Sequence, residues 1–427
     1  MKKRHGVLGF LVSLSILTFL DRLSIAVAGP RIQDELQIRP EQWGWVLGAF
    51  ALAYGIFEIP SGASGDRFGQ RRVLTRIVVW WSAFMGATAA VTGFSQLVVT
   101  QFLFGAGEAG AYPNASGVIA RWFPKSERAR AQGAVWAASR VGGALSPLLV
   151  IPLLHAVGWR GMFYGFAALG LIWAVLWRRW FHDRPAGQPG ISSVELTEIG
   201  PVSPATPRDG MWRVLLHSRQ AWLLIAMYWC YVWGSWFYFS WFPTYLVRGG
   251  GFSEKEMGLA SSLPFVCGCA GNLTGGWLSD RLASRFGLKI ARCGLASSSL
   301  AVSSLLIFSL AFAKEKAVVA ILASLGLGVL DLMLPAAWSL CIDLGRAHAG
   351  VLSGAMNGAG MTGGFICTLV FGYLVRSSGG YRAPLCVIAS MVMASAILFA
   401  FINPAKPVWK EENVLPLSDS VVCGEPT

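Results

Sequence analysis

The sequence predicts an all-helical membrane protein, with twelve transmembrane helices arranged as two pseudo-symmetric six-helix bundles. Three observations support this: the composition, twelve long apolar runs, and motifs that recur between the two halves. The chain has 427 residues, of which 54% are hydrophobic and 13% charged. Soluble proteins have about 25% charged residues, so this composition indicates a chain that lies mostly in lipid.

The apolar runs define the spans. About 20 helical residues cross a bilayer, and twelve runs reach that length. They lie at residues 6–29, 43–63, 73–94, 97–122, 130–154, 161–181, 220–247, 256–279, 291–312, 316–343, 349–375 and 382–402. A closed β-barrel is excluded because the runs are too long and lack period-two alternation. Lys2-Lys3-Arg4 before the first run and Ala26-Val27-Ala28 at its end resemble a signal peptide. Cleavage would leave an odd number of spans, so we expect the first span to be retained.

The positive charges predict the orientation. The net charge of +13 would suggest a nucleic-acid partner in a soluble protein. Here the basic residues cluster in short loops between apolar runs, so nucleic acid is discounted and both termini are predicted to be cytoplasmic. We therefore expect a multi-pass protein of the plasma (inner) membrane. Residues 1–182 and 216–403 form the two predicted bundles, the Pro- and Gly-rich stretch 183–215 a cytoplasmic linker, and 404–427 a cytoplasmic tail.

Internal repetition supports two related halves. Gly62-x-x-x-Asp66-Arg67 recurs as Gly276-x-x-x-Asp280-Arg281, and Gly142-Gly143 is echoed by Gly363-Gly364. Such duplication predicts a substrate site near mid-depth, between the halves.

Catalytic and metal chemistry have no signature in the sequence. The eight cysteines fall singly, without the spacing of a disulfide framework or a metal site. Neither a Gly-x-x-x-x-Gly-Lys phosphate-binding loop nor a nucleophile–base set is present. We therefore predict that the protein is not an enzyme, holds no metal and uses no cofactor.

Several ionisable or polar side chains share a depth near the middle of their spans. They are Asp21, Arg22, Tyr54, Glu108, Arg140 and Asp331. A full charge at a helix centre costs about 2.5–3.5 kcal/mol on insertion scales, so such groups are expected to face a water-filled path. Arginine stays protonated and holds a carboxylate by a two-pronged hydrogen bond. An internal ion pair that only fixes helix packing is the alternative.

The loop after the second span carries a family signature. Gly62-Ala63-Ser64-Gly65-Asp66-Arg67-Phe68-Gly69-Gln70-Arg71-Arg72 closely matches the loop between helices two and three of the major facilitator superfamily, with Ser64 in place of the usual leucine. We interpret Gly62, Asp66, Arg67, Arg71 and Arg72, with Asp280 and Arg281 of the repeat, as a conformational latch that holds the outward-facing state. Plain topogenic charge is the alternative; it explains the arginines but not the spacing of Asp66 and the glycines.

Within that superfamily the chain resembles the anion:cation symporter group. This group includes bacterial hexuronate, galactonate and glucarate permeases, and the vesicular glutamate and sialic acid carriers of animals. The motifs that carry the resemblance are Phe19-Leu20-Asp21-Arg22, Gly105-Ala106-Gly107-Glu108-Ala109-Gly110, Arg121-Trp122-Phe123-Pro124, Trp241-Phe242-Pro243-Thr244-Tyr245-Leu246 and Ser353-Gly354-Ala355-Met356-Asn357. The resemblance implies that Arg22 and Tyr54 hold a substrate carboxylate, while Asp21 and Glu108 take part in proton coupling.

One position departs from the pattern of these carriers. They commonly have a second arginine two turns before the helix-four glutamate, where this chain has Gln101. We infer that Arg140 supplies the second charge, so that Arg22 and Arg140 clamp the anion and Gln101 donates a hydrogen bond. The alternative for Arg140 is a salt bridge to Glu108. Both roles could alternate in one cycle, since protonating Glu108 would free Arg140.

Further polar residues have two open roles each. Asp331 is predicted as a third proton site, or as a structural hydrogen-bond partner near Pro335. Asn357 and Tyr238 are predicted to contact substrate hydroxyls, with packing as the alternative. Glu58 is assigned to the latch.

These patterns predict a monomeric secondary transporter that works by alternating access. It would import a small organic anion, a sugar acid such as a hexuronate or aldonate, together with protons. The alternatives are an anion/anion antiporter for phosphate esters or dicarboxylates and, less favoured, a sensor that binds its ligand without transport.

Overall fold

The computed structural model describes residues 2–199, 211–345 and 349–408, and every regular element in those ranges is helical. Residues 200–210 of the predicted linker and 409–427 of the predicted tail lie outside the described residues.

The first half contains seven helices. They are α1 (Lys3–Val27), α2 (Gly29–Glu35), α3 (Pro40–Phe68), α4 (Gln70–Ala89), α5 (Phe94–Glu108), α6 (Ala111–Trp122) and α7 (Lys125–Trp180). α7 is bent at Gly158, whose φ of +68° and ψ of 173° suit glycine but not residues with a Cβ. The bend divides α7 into two lengths that match the predicted fifth and sixth spans.

The rest of the described chain contains ten helices. Two short ones, α8 (Ser193–Ile199) and α9 (Met211–His217), lie in or next to the predicted linker. The others are α10 (Arg219–Ser240), α11 (Phe242–Arg248), α12 (Glu254–Leu288), α13 (Leu295–Leu310), α14 (Lys316–Asp331), α15 (Leu334–Gly345), α16 (Ala349–Ser378) and α17 (Arg382–Ala400). A π-helical turn at Lys289–Gly294 leads into α13.

The helices coincide with the twelve predicted spans. Six helical stretches are by themselves long and apolar enough to cross a membrane: Lys3–Val27, Arg130–Trp180, Lys289–Leu310, Lys316–Gly345, Val351–Ser378 and Arg382–Ala400. The remaining predicted spans correspond to α3, α4, α5 with α6, α10 with α11, and α12. These are interrupted, or contain charged and aromatic residues that lower their hydropathy.

Glycine contacts show that the two halves are built alike. A Cβ on Gly142 of α7 would lie 2.6 Å from the Ile16 carbonyl oxygen of α1. In the second half, a Cβ on Gly363 of α16 would lie 2.8 Å from the Trp229 carbonyl oxygen of α10. The repeated glycine pairs in the sequence therefore mark the same close helix crossing in each bundle.

Candidate functional site

The first central ion pair joins Arg22 and Glu108. Arg22 lies on α1 and Glu108 is the last residue of α5, so both belong to the first half. The Arg22 Nε donates a hydrogen bond of 3.1 Å to Glu108 Oε1, and Arg22 Nη2 contacts the same oxygen. The two side chains are only 10% and 1% exposed. The pair thus neutralises both charges inside one bundle.

Three aromatic rings surround the Arg22 guanidinium. Its central carbon lies 5.1 Å from the ring centre of Phe19, 5.0 Å from that of Phe50 and 4.9 Å from that of Tyr54. A cation within about 6 Å of an aromatic face is attracted by the ring quadrupole. Tyr54, predicted to bind the substrate together with Arg22, contributes its ring to this group, and its role in binding stays a prediction.

Close helix packing brings Glu108 to this position. A Cβ at Gly105 of α5 would lie 2.5 Å from the Phe50 carbonyl oxygen of α3, and one at Gly107 would lie 2.1 Å from Trp80 of α4. Only glycine permits both approaches. The glycine-rich sequence around Glu108 therefore presses the end of α5 between two neighbouring helices.

The second central ion pair joins the two halves. Arg140 on α7 lies 3.0 Å from Asp331, measured from Nη2 to Oδ2, with side chains 10% and 0% exposed. The Tyr231 hydroxyl donates to Asp331 Oδ1 at 3.4 Å. The salt bridge to Glu108 that was the alternative for Arg140 is wrong: Glu108 pairs with Arg22, and Arg140 reaches the other bundle.

Aromatic contacts connect the two arginines. The Arg140 guanidinium carbon lies 5.7 Å from the ring centre of Phe239 on α10, and this ring lies 5.9 Å from that of Phe19. Since Phe19 also faces Arg22, the two cations lie on either side of one pair of rings. The structure thus brings Arg22 and Arg140 to the same central region.

The two buried acids occupy matching helix breaks. α5 ends at Glu108 and α6 begins at Ala111, while α14 ends at Asp331 and α15 begins at Leu334. These are the fourth and tenth spans, the equivalent helices of the two halves. Each acid therefore lies where its span is discontinuous, which is typical of substrate and ion sites in transporters built from repeats.

A set of ion pairs closes the protein on one side. We call this the far face, since it lies at the opposite end of the spans from Lys2 and Val408. Arg31 contacts Glu254 through two hydrogen bonds of 2.6 and 2.5 Å. Two further pairs join the halves here, Arg248 to Asp34 at 2.5 Å and Arg376 to Glu41 at 2.8 Å.

The hydrogen bonds from Arg31 lower the pKa of the Glu254 carboxyl. Glu35, on the same face, has its pKa lowered by hydrogen bonds from Trp159 and Arg160. Both carboxylates are charged at neutral pH; the pair of Glu254 with Arg31 then joins the halves, whereas Glu35 pairs with Arg160 of its own half.

A comparison with models of protein families agrees with this fold. A family model described as Major Facilitator Superfamily matches residues 11–368. The chain belongs to the Major Facilitator Superfamily. It is a multi-pass membrane transporter, not an enzyme.

Members of the superfamily that resemble this chain have names that refer to anions. A probable sulfoacetate transporter of Cupriavidus necator is 34% identical over 417 residues, which cover 95% of both chains. The hexuronate transporter of Bacillus subtilis is 27% identical over 96% of this chain and 98% of its own length. A probable L-galactonate transporter of Escherichia coli is 29% identical over 91% of this chain and 86% of its own.

Solved structures of the superfamily share the fold. A bacterial homologue of the human lysosomal transporter Spinster, crystallised in an inward-facing and occupied conformation, superposes with a TM-score of 0.73. The match covers 93% of this chain and 95% of the other at 19% identity, so it bears on the fold alone.

Three residues predicted for the site lie inside single bundles. Asp21 is 2% exposed; its carboxyl lies beside the Trp81 indole of α4 and within electrostatic reach of Glu108, but it forms no ion pair among the described residues. Gln101 is 2% exposed and donates to Thr88 Oγ1 at 3.2 Å. Tyr238 is 1% exposed and packs on its neighbours Phe237 and Phe242. For all three this placement favours packing; their roles in coupling or binding stay predictions.

Asn357 and Glu58 form an unexpected contact between the halves. The Asn357 amide on α16 donates to both oxygens of Glu58 on α3, at 2.9 and 3.0 Å. Glu58 lies within α3, as expected, and contacts the other bundle; its assignment to the latch stays a prediction. The Asn357 amide is occupied by this contact.

The latch motif is only partly described. Gly62 approaches Pro113 of α6, where a Cβ would come within 2.9 Å of Pro113 Cβ. Arg71 donates to the Arg178 carbonyl oxygen, inside the first half. Arg67 and Arg72 are exposed, and the Arg281 guanidinium lies 5.3 Å from the Trp277 ring. The side chains of Asp66 and Asp280 lie outside the described set, and the latch stays a prediction.

Sequence reasoning missed the aromatic neighbours and the true partners of the charges. Phe19 lies one turn before Arg22, and Phe50 one turn before Tyr54. This spacing could have placed both rings on the faces of α1 and α3 that carry the site. The pairing of Arg140 with Asp331 has no local signal. Among the described residues, no group of three or more His, Cys, Asp and Glu side chains is placed to hold a metal ion.

Proposed function

We propose that the protein is a proton-coupled transporter that imports a small organic anion, with Arg22 and Arg140 as the anion-binding groups. The observation that carries this proposal is the pair of buried arginines, each neutralised by its own carboxylate at a helix break. An anion that enters this region meets cations whose charge is already balanced. The anion can pair with an arginine only after the carboxylate already bound to that arginine has released it.

Proton binding supplies that release. Removing one partner of a buried ion pair costs about 3–5 kcal/mol, because the remaining charge is left without compensation. Protonation of Glu108 or Asp331 would leave such an uncompensated arginine, and an arriving anion would compensate it. Proton and anion therefore stabilise each other in the site, which is the thermodynamic requirement for symport.

The second pair couples this exchange to the movement of the halves. Arg140 and Asp331 lie in different bundles, so the pair can persist only while the bundles are close. Once an anion binds Arg140 and Asp331 is protonated, one of the contacts that join the halves is gone. This gives alternating access a charge-based trigger.

The substrate class follows from the number of cations. Two arginines suit an acid with two anionic groups, or one with a carboxylate and several hydroxyls. The relative at 34% identity is described as a sulfoacetate transporter, and others as hexuronate and galactonate transporters. We therefore place short sulfonated carboxylic acids beside sugar acids as candidate substrates.

The test is uptake into vesicles that contain the purified full-length protein. Labelled sulfoacetate, glucuronate and galactonate are supplied with the vesicle interior at pH 8 and the exterior at pH 6 or pH 8. At least one acid should accumulate only with the gradient. The Glu108→Gln variant should still exchange that acid across the membrane, but no longer accumulate it.

Three results would count against the proposal. Accumulation that still follows the pH gradient in both Glu108→Gln and Asp331→Asn would reject proton coupling through the two central pairs. Exchange that never depends on the gradient in the unmodified protein would favour the antiporter. Uptake of none of the acids, with binding retained, would favour a sensor.

A further inference from the structure

A cavity of about 440 Å³ lies where the beginning of α4 meets the end of α7. It is outside the central site, at the end of the spans that carries Lys2. The residues that line it are Arg71, Arg72, Val175, Arg178 and Arg179. Four of its five lining residues are thus arginines, in a volume that is typical of small-ligand pockets.

The wall of this cavity is held in place by hydrogen bonds. The Arg71 Nε donates to the Arg178 carbonyl oxygen at 2.9 Å. The Arg71 backbone N–H donates to Asp183 Oδ1 at 2.8 Å. Asp183 therefore caps the start of α4, and the Arg71 guanidinium is fixed against the end of α7.

Among the described residues the cavity carries more positive than negative charge: the Asp183 carboxylate contacts the Arg71 backbone, against four guanidiniums. Within residues 2–199, 211–345 and 349–408, none of the four guanidiniums forms an ion pair with a carboxylate. Arg72, Arg178 and Arg179 are exposed. This is the reverse of the central site, where Arg22 and Arg140 are buried and paired.

An apolar surface continues from the cavity along the same two helices. Val175, Leu176 and Ile172 of α7 are 48%, 52% and 56% exposed, and Val79 of α4 is 42% exposed. Such residues on a membrane-spanning helix face acyl chains. The headgroup level and the chain level of one lipid are therefore next to each other on this surface.

We propose that the cavity binds the phosphate headgroup of an anionic phospholipid, with the acyl chains along α4 and α7. Guanidinium groups match phosphate oxygens by parallel hydrogen bonds. Basic pockets between transmembrane helices at the cytoplasmic side are suited to anionic headgroups. A soluble phosphate would use the same arginines but gain nothing from the apolar surface.

The test is native mass spectrometry of delipidated full-length protein, titrated with dioleoyl-phosphatidylglycerol. The variant is Arg178→Gln with Arg179→Gln; it keeps the Arg178 backbone carbonyl that Arg71 uses. The matched control is Arg213→Gln with Arg285→Gln, which removes one exposed arginine from the linker and one from the second half. Dioleoyl-phosphatidylcholine and glycerol 1-phosphate serve as the other probes.

The unmodified protein should bind one phosphatidylglycerol more tightly than further copies. Each arginine near a headgroup contributes about a fivefold gain in affinity, so the double variant should bind roughly tenfold or more weakly. The control should bind as the unmodified protein does. If the double variant does not fold, Arg179→Gln against Arg285→Gln should show about a fivefold difference.

Three outcomes would overturn the proposal. An equal loss in the control would mean that general surface charge attracts the lipid. Equal binding of phosphatidylcholine would remove the role of the anionic headgroup. Binding of glycerol 1-phosphate as tight as that of the lipid would make the cavity a site for soluble anions.

Discussion

Arg22 is fixed before any substrate arrives. Three rings within about 5 Å and the Glu108 carboxylate hold its guanidinium from several sides. A planar guanidinium stacks on rings and bonds a carboxylate by two parallel donors, whereas an ammonium does neither. We therefore expect this position to require an arginine, because a positive charge alone does not provide these contacts.

The Arg22→Lys variant tests this specificity. It keeps the charge but should lower substrate affinity and uptake at least tenfold, because the forked hydrogen bond is worth roughly 1.5–3 kcal/mol. Arg160→Lys is the matched control, since Arg160 also pairs with a glutamate and lies 4.1 Å from a Trp159 ring centre. Uptake is measured in vesicles and affinity by ligand-induced thermal shift. Equal activity of both variants would contradict the role of Arg22.

The pair between Arg140 and Asp331 is tested by removing its partners in turn. Asp331→Asn leaves the Arg140 charge buried and should reduce the free energy of unfolding by about 3–5 kcal/mol. Asp331→Asn combined with Arg140→Gln should recover most of that stability while uptake stays lost. The measurement is apparent melting temperature beside vesicle uptake. If Asp331→Asn alone were as stable as the unmodified protein, the ion pair between Arg140 and Asp331 would not be maintained in the folded protein.

At the scale of the helices, glycines decide how the site is assembled. Gly105 lets α5 approach α3, and Gly268 of α12 lies where a Cβ would be 2.7 Å from Asp331 Oδ2. Both acids are thus placed by a helix that comes unusually close to its neighbour.

Two glycine-to-alanine changes separate packing from helix propensity. At Gly105 the added Cβ meets the Phe50 carbonyl oxygen, so Gly105→Ala should destabilise by about 1–3 kcal/mol. Gly165 is also inside a helix, α7, but a Cβ there meets nothing within 4 Å. Gly165→Ala should therefore be neutral or stabilise by up to about 1 kcal/mol. Thermal unfolding in detergent measures both, and equal shifts would disprove the close approach.

The elements could be predicted from the sequence because length, hydropathy and turn residues are local properties. The depth of Arg22, Glu108, Arg140 and Asp331 was also predictable, since depth follows from position in a span. Their partners were not, because pairing depends on how helices rotate and on contacts between halves. Gln101 shows the same difference: its depth fits the site, but its amide is directed to Thr88.

At the scale of the molecule, the halves are joined chiefly on the far face. Three ion pairs connect them there, through Arg31, Arg248 and Arg376. Glycines 44 and 372 add close contacts between α3 and α16: a Cβ would lie 2.6 Å from the Thr368 carbonyl oxygen and 2.5 Å from that of Pro40. The opposite end holds the contact of Glu58 with Asn357. The arrangement is that of a carrier closed on the far face.

The pH dependence of this closure follows from the lowered pKa of Glu254. A group with a lowered pKa stabilises the closed form fully above its ordinary pKa, about 4.3 for glutamate, and loses that effect as pH falls through the lowered value. Closure through Arg31 and Glu254 should therefore not change between pH 8 and pH 5. The measurement is made in the His155→Gln variant, which removes the imidazole that lies 3.3 Å from the Glu254 carboxylate.

Spin labels at Ser95 and Lys314, one exposed position in each half, report the opening of the far face by pulsed EPR, after replacement of the native cysteines. The distance should be the same at pH 8 and pH 5, and Arg31→Gln should lengthen it at both values. A distance that increases between pH 8 and pH 5 in the His155→Gln background would contradict the assignment to Glu254.

Two of the far-face pairs are also accessible to dissolved ions, since Asp34 is 78% exposed and Arg31 and Arg248 are each 31% exposed. Exposed pairs of this kind are worth about 0–1 kcal/mol each, and electrolyte screens them. A higher ionic strength of the surrounding medium would thus weaken the ion pairs between the halves. A larger fraction of the molecules would then be open to that medium on the far face. Salinity would shift the resting balance of this carrier even with nutrient supply and membrane energisation held constant.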